Sequence, residues 1–325
     1  MRILKVIMLL IVGTVFVAKS QFLIDTADRF NPSINIQDSL ERIVRESMTN
    51  LPEVPAKLDT IQVRYNFIPG DTLVYSVLAF DSIALGAQPV LRKTRLEELR
   101  VICDSVGANG HYYLTLTYPL MHSFAFSGDS PGIQSDENPW IGRRINIEID
   151  SLGKKYSYYY DNPKKFALNS GGAFQQQLIP DLGESIKAIE ESWLVKSVEE
   201  VPENGAPPPL VTYSSLFRMK GRLDTLGYKC HVYEFIKAGQ GSLKLRNMNT
   251  MSYYNSWNRV IIGTELQVPI FMKNTREQKI VIKAGKGNEE RGKHFINASF
   301  KLIDVKKAAV KEKKKTKSKK TKKRK

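Results

Sequence analysis

Apolar and polar residues alternate along much of this chain, and a period of two is typical of β-strands with one buried face. The clearest case is Ile61–Ala79, where two alternating runs flank Ile68–Asp71. Pro69 fixes φ for the second position of a turn, and Gly70 accepts the positive φ that follows. This segment is therefore predicted to form an antiparallel hairpin.

Further alternating runs extend the same plan. Arg95–Tyr118 turns at Asn109–Gly110, and Ile145–Tyr160 turns at Ser151–Lys154, so each segment is predicted to form a hairpin. Strands are also expected in the segments 211–219, 228–232, 260–263, 268–273, 278–284 and 294–305.

Two segments have helical spacing instead. One lies in a helical lead-in, residues 21–59. The other is residues 181–193, where apolar side chains recur at intervals of three and four, with Asp181 and Glu184 as capping residues. The expected fold class is mainly β (α+β): a curved antiparallel sheet, half-barrel-like, with a crossing helix. The Pro-rich linker 202–209 divides a first β-rich part, 60–201, from a second, 210–305, in a two-part duplication of architecture.

The N-terminus predicts export. Residues 1–20 have a basic start, an apolar run Val6–Val17, and small residues at Ala18 and Ser20, the pattern of a signal peptide cleaved after Ser20. The run is shorter than the ~20 residues that span a bilayer, and no later segment is long and apolar enough to do so. A periplasmic or extracellular location is expected.

Most of the net charge of +16 lies at the C-terminus, where 13 of the 20 residues 306–325 are Lys or Arg. Such a segment is predicted to be disordered, because it has too little apolar surface to fold. It is expected either to hold the protein at a polyanionic envelope surface or to be an inert solubilising tail, and the export signal argues against nucleic acid. The surface-contact candidates are Lys313, Lys314, Lys315, Lys319, Lys320, Lys322, Lys323 and Arg324.

A long segment, 119–142, combines Gly and Pro with large apolar residues and is predicted to be a lid or lip over a ligand. The alternative is that its aromatic residues pack the loop onto the core. With the apolar stripe of the predicted helix, it supplies the candidate lining for an apolar small molecule or lipid: Phe124, Phe126, Trp140, Ile186, Ile189 and Trp193.

Candidate chemistry is sparse. Cys103 and Cys230 are the two cysteines, and in an oxidising compartment they either form one disulfide or stay buried as free thiols. The four histidines are scattered, and no metal-ligand spacing, phosphate-binding loop or nucleophile motif occurs. No metal, cofactor or catalytic residue is predicted.

Three short segments, Pro69–Tyr75, Glu191–Trp193 and Gly227–Cys230, resemble exported β-rich bacterial envelope proteins and, in outline, Lol-type carriers and related periplasmic lipid-binding proteins. The resemblance covers most of residues 60–305. It implies a curved antiparallel sheet that wraps around one or more helices and encloses an apolar cavity.

The expected function is that of an exported, non-enzymatic envelope protein that binds a hydrophobic ligand or an envelope partner. Two alternatives stay open. One is a structural or interaction protein held at an anionic surface by its tail, and the other is a hydrolase with dispersed active-site residues.

Overall fold

The computed structural model describes residues 60–128, 132–136, 141–160, 178–184, 186–200, 210–245, 248–284 and 288–308. These residues form fourteen β-strands and no helix. The strands are β1 (Thr60–Gln62), β2 (Thr72–Leu85), β3 (Leu91–Val106), β4 (Tyr112–Ser127), β5 (Ile133–Ser135), β6 (Arg144–Ile149), β7 (Lys155–Tyr160), β8 (Ile186–Ala188), β9 (Ser192–Glu200), β10 (Leu210–Thr225), β11 (Tyr228–Leu245), β12 (Met248–Gly263), β13 (Pro269–Ala284) and β14 (Asn288–Lys306).

Twelve of these strands form one antiparallel sheet, in the order β7-β6-β4-β3-β2-β14-β13-β12-β11-β10-β9, with β5 paired to β4. Most neighbours are consecutive in the chain, as short turns allow. The exceptions are β6, which pairs with β4 although β5 lies between them in the chain, and β14, which pairs with β2. Strands β2 to β7, from the predicted first part, lie on one side of the β2–β14 pair, and β10 to β14, from the predicted second part, lie on the other. Strand β9, also from the predicted first part, lies beyond β10 at the far edge. A separate two-stranded sheet pairs β1 with β8.

The large sheet curves back on itself, and Leu182 shows this. Its N–H donates to the carbonyl of Leu152, in the turn between β6 and β7, at 2.8 Å. Its own carbonyl accepts a hydrogen bond from the indole Nε1 of Trp193, on β9, at 2.7 Å. Because β7 and β9 stand at opposite ends of the strand order, the sheet must bend until both ends approach the same residue.

The hydrophobic core lies on the inner face of this curve. The extended segment 61–67 crosses it, and its four alternating apolar side chains are buried: Ile61, Val63, Tyr65 and Phe67. The hydroxyl of Tyr65 donates to the carbonyl of Pro180 at 3.0 Å. The core therefore lies between the large sheet and two segments that pack against its inner face, one around Tyr65 and one around Pro180.

The predicted hairpin at 61–79 is right in its turn and wrong in its pairing. Asp71 N–H donates to the carbonyl of Ile68 at 3.0 Å, and Gly70 has φ of 85°. However, β2 pairs with β3 and β14, and the segment before the turn does not pair with it. The N–H of Tyr65 bonds instead to Ser151, because this segment lies inside the sheet rather than at its edge.

The predicted helix at 181–193 is wrong, and with it the crossing helix and the α+β class: the described chain is all β. Strand β8, a turn and strand β9 occupy most of these residues. The carboxylate of Asp181 accepts from the N–H of Gly183 in a local turn, and both Gly183 and Glu190 have positive φ, which ends any helical run. The spacing of three and four arose from two turns in succession.

The predicted hairpins around Asn109–Gly110 and Ser151–Lys154 are confirmed as β3–β4 and β6–β7. The lid predicted at 119–142 is partly strand, because β4 continues to Ser127. The signal peptide, the helical lead-in, the linker 202–209 and the tail beyond Ala308 lie outside the described residues. Within the described part, no helix is long and apolar enough to cross a membrane.

Candidate functional site

The inward-facing side chains change from apolar to polar and back to apolar along the long strands, and β13 shows this most clearly. Its inward positions begin with the buried apolar residues Ile270 and Met272, continue with polar ones, and end with the half-buried Ile280 and Ile282. The inner face therefore has three zones: an apolar core, a polar belt and an apolar rim. The rim also includes Ile83 and Leu91, which are paired with each other.

The polar belt is formed by inward-facing residues from six strands. Its members are Asp81 on β2; Lys93, Arg95 and Glu97 on β3; Lys237 on β11; Tyr254, Ser256 and Asn258 on β12; Asn274, Arg276 and Gln278 on β13; and His294 on β14. Apart from the half-buried Lys93, all are buried. The strand register brings them level, since Asn258 faces Asn274 and Gln278 faces His294.

One end of the belt is a charge cluster around Arg95. Its Nε donates to Asp81 Oδ2 at 2.6 Å, and its Nη1 donates to Glu97 Oε1 at 2.5 Å. His294 Nε2 lies 3.1 Å from Asp81 Oδ1. Burial by itself would raise the pKa of Asp81, but the His294 hydrogen bond and the Arg95 charge lower it overall. For Glu97, burial outweighs Arg95 and the pKa is raised.

The centre of the belt is an amide chain. Asn274 Nδ2 donates to Asn258 Oδ1, and Asn258 Nδ2 donates to Ser256 Oγ at 2.9 Å. The same Nδ2 also lies 3.4 Å from the carbonyl of Phe235. These bonds fix the orientation of each amide and satisfy groups that would be costly to bury without a partner.

Two further cations lie over aromatic rings. The guanidinium of Arg276 is 5.9 Å from the centroid of Tyr254, and Nζ of Lys237 is 3.6 Å from the centroid of Tyr213. Burial lowers the pKa of Arg276 to about 10, so this side chain stays charged at neutral pH. Among the described belt residues, Lys93, Arg95, Lys237 and Arg276 thus outnumber the two carboxylates. The belt suits an anionic group.

Small cavities lie among the inward-facing side chains of the described residues. A cavity of about 20 Å³ lies between Arg95, Arg276 and Asn274 on its polar side and Val77 and Phe300 on its apolar side. A second, of about 10 Å³, is lined by Leu99, Leu116 and Ile179 among others. Each has room for about one water. In the trough between belt and rim, the buried hydroxyl of Ser252 has no hydrogen-bond partner among the described residues.

The structure does not bring the predicted lining residues together. Phe124 and Phe126 are on the outer face of β4, while Trp193 is buried in the core. Ile186 is exposed on β8, and Ile189 packs against the core from the turn that follows. Trp140 and the eight tail residues predicted to contact an anionic surface lie outside the described part of the chain.

The two cysteines carry free thiols on β3 and β11, strands that are not neighbours in the sheet. Both are buried. Burial, followed by the charges of Asp104 and Asp71, raises the pKa of Cys103 to about 11, and burial raises the pKa of Cys230. Thiols in this state are poor nucleophiles at neutral pH.

The belt holds acid and base groups, but it lacks the geometry of a nucleophilic site in the described chain. His294 contacts Asp81, and no described serine, threonine or cysteine is hydrogen-bonded to its ring. Among the same residues, no group of three His, Cys, Asp or Glu side chains could hold a metal ion.

Sequence reasoning did not find the belt, although a signal for it exists. The segments 268–273 and 278–284 were expected as separate strands because the alternation of apolar residues stops between them. In the structure β13 is continuous, and the inward positions Asn274 and Arg276 are polar. An interruption of apolar alternation on several long strands at once is the pattern that a buried polar belt produces.

No protein-family model and no curated protein sequence matches this chain. Among solved structures, it is similar to lipovitellin, in a structure titled for lipid–protein interactions, with 13% identity and a TM-score of 0.43. That match covers 75% of this chain and 26% of the lipovitellin chain. A second match, to a loop L8 deletion mutant of OmpT, an outer membrane protein of Vibrio cholerae, covers 72% of this chain and 100% of that chain at 10% identity and a TM-score of 0.15. Both similarities are too low to bear on function.

Proposed function

We propose that this chain is a non-enzymatic binding protein whose inner face holds an amphipathic anionic ligand, such as a fatty acid or an anionic lipid. The acidic group of the ligand binds in the polar belt near Arg276, and its apolar chain extends towards the rim residues Ile83, Ile280 and Ile282. The observation that carries the proposal is the excess of buried cations over carboxylates among the described belt residues, between two apolar zones.

The energetics of the belt favour a binding role. Buried charges lose their hydration, and replacing them with packed apolar side chains is often neutral or stabilising. A belt of this size is therefore a poor way to stabilise a sheet. The buried hydroxyl of Ser252, which has no partner among the described residues, supports the same proposal because buried polar groups in native proteins generally have a hydrogen-bond partner.

Export belongs to the proposal as well. The basic and apolar pattern of residues 1–20 supports secretion, and a protein that carries an amphiphile between surfaces would need no catalytic group. The hydrolase alternative is less well supported, because His294 has no hydroxyl or thiol partner in the described chain.

The test is to purify the full chain from its native source, extract it with organic solvent and identify co-purifying amphiphiles by mass spectrometry. We expect an acidic lipid or fatty acid in a ratio near one per chain. In parallel, an apolar anionic dye should bind to the stripped protein and be displaced by oleate. Absence of any co-purifying amphiphile, together with no dye displacement, would overturn the proposal.

A further inference from the structure

The outer face of the sheet carries a contiguous apolar surface that the core does not use. Its members, which we call the outer patch, are exposed by 40–48%: Leu78, Phe80, Leu96, Leu120, Phe124 and Phe295. They come from four adjacent strands, β4, β3, β2 and β14.

The strand register makes the patch continuous. Leu78 lies directly opposite Leu96, and both Phe80 and Phe124 lie opposite Thr94 from either side. Phe295 sits diagonally from Phe80, because the residue opposite Phe80 is Asn297. The inward neighbours of these residues, such as Val77 and Ala79, are buried in the core, so the patch lies on the opposite face. An exposed surface of this kind marks an interaction site.

The charges around the patch indicate its partner. Arg92, Lys293 and Lys301 are exposed, at outward positions beyond its edges, and Arg92 lies 5.9 Å from the ring of Phe126 beside it. Of the nearby carboxylates, Glu98 pairs with Arg100 at 2.7 Å and Asp136 with His122 at 2.6 Å, while Glu277 lies opposite Phe295 on β13. An apolar centre with a basic margin matches a lipid surface with anionic head groups.

The sequence that follows the described residues is strongly basic. β14, which supplies Phe295, Lys293 and Lys301, leads directly into residues 309–325, where 11 of 17 residues are Lys or Arg. We infer that the outer patch docks this protein on anionic membranes, with its aromatic side chains at the lipid interface and its basic margin on the head groups. This inference does not depend on a ligand in the polar belt.

The experiment is co-sedimentation of the full chain with vesicles of phosphatidylcholine and phosphatidylglycerol, and with vesicles of phosphatidylcholine alone. The test variant is Phe80→Ser with Phe124→Ser. Its matched control is Val198→Ser with Leu223→Ser, which removes exposed apolar side chains from β9 and β10, far along the strand order. A variant that ends at Ala308 separates the tail from the patch.

We expect the full chain to prefer the anionic vesicles. The patch variant should bind the anionic vesicles at least roughly tenfold more weakly, and the control should bind them like the unmodified chain. The truncated chain should keep a component of vesicle binding that depends on the patch and that salt does not remove. Unchanged binding of the patch variant, or an equal loss in the control, would overturn the inference. So would a dimer in solution that only the patch variant makes monomeric, because the patch would then join two copies of the chain.

Discussion

The indole Nε1 of Trp193 donates a hydrogen bond to the carbonyl oxygen of Leu182 at 2.7 Å, in the buried core. This bond ties the last strand of the sheet to a segment that also bonds the turn between β6 and β7, so it helps to hold the curve that forms the inner face. The ring of Trp193 stacks on Phe217, with 5.2 Å between centroids.

Trp193→Phe should keep most of this stacking and lose the hydrogen bond, leaving a buried carbonyl without its partner. We expect a loss of about 2 kcal/mol in the free energy of unfolding, measured by urea denaturation. Trp257→Phe, on the half-exposed outer side of β12, is the control and should change stability by less than about 0.5 kcal/mol. Equal effects of the two substitutions would show that the Leu182 bond contributes nothing.

Gly153 is the point where the β6–β7 turn approaches the segment beneath the sheet. Its φ is +87°, and an added Cβ would lie 2.4 Å from the carbonyl oxygen of Pro180. Gly110 has a similar φ of +78° with no atom within 4 Å, so the two glycines separate backbone strain from steric clash.

We expect Gly110→Ala to cost about 1 kcal/mol from backbone strain alone. Gly153→Ala should cost at least ~3 kcal/mol, because overpacking adds to the same strain. Thermal and urea unfolding of both variants would measure the difference. If the two losses are equal, Pro180 does not lie against this turn.

The charge cluster predicts opposite pH dependences for its two carboxylates. The pKa of Asp81 is lowered in the fold, so its ionised form contributes stability above the unfolded value of about 3.9, and that contribution is lost as the pH falls through the folded pKa. Asp81→Asn should therefore cost about 3 kcal/mol near neutral pH and progressively less below about pH 4.

Glu97 has a raised pKa, so its contribution to stability changes with pH in the opposite direction to that of Asp81. The stability that its protonated form contributes is fully present below about pH 4.3 and is lost as the pH rises through the folded pKa. Glu97→Gln should gain stability relative to the unmodified chain as the pH rises above about 4.3. The exposed Asp224→Asn is the control for both. Parallel pH profiles for the Asp81 and Glu97 variants would contradict the arrangement.

Both cysteines should be unreactive in the folded protein and free after unfolding. Burial disfavours both thiolates, with the pKa of Cys103 raised to about 11, so a maleimide should label the native chain very slowly near neutral pH. In concentrated guanidinium chloride without reductant, two thiols per chain should react. If none reacts, the protein forms a Cys103–Cys230 disulfide that this fold does not contain.

Local patterns predicted most of the strands, because alternation and turn residues depend only on residues that are a few positions apart in the sequence. Asn109–Gly110 specified its hairpin correctly, and Pro69–Gly70 specified its turn. Pairing over long distances could not be obtained this way: nothing near Tyr65 indicates that its backbone bonds to Ser151. The helix predicted at 181–193 is wrong because the apolar spacing takes no account of Gly183, whose positive φ ends a helical run.

The candidate site was missed for a related reason. Apolar alternation is the mark of a strand in the sequence. Asn274 and Arg276 therefore fall between two predicted strands, and Asn258 falls outside any predicted strand. Their meaning depends on the register of β12 and β13, which places them side by side. Conversely, Phe124 and Phe126 were expected to line a ligand site because they are aromatic, but the face of β4 on which they lie is set by its pairing with β3.

The most direct test of the central claim compares the binding of oleate and oleyl alcohol, which share a chain and differ in charge, to three proteins. These are the unmodified chain, Arg276→Met in the belt, and Arg259→Met, whose guanidinium pairs with Glu234 on the outer face. We expect Arg276→Met to weaken the binding of oleate by about tenfold or more and to leave the binding of oleyl alcohol unchanged. Arg259→Met should change the binding of neither ligand. Equal binding of oleate to all three proteins would contradict an anion site in the belt.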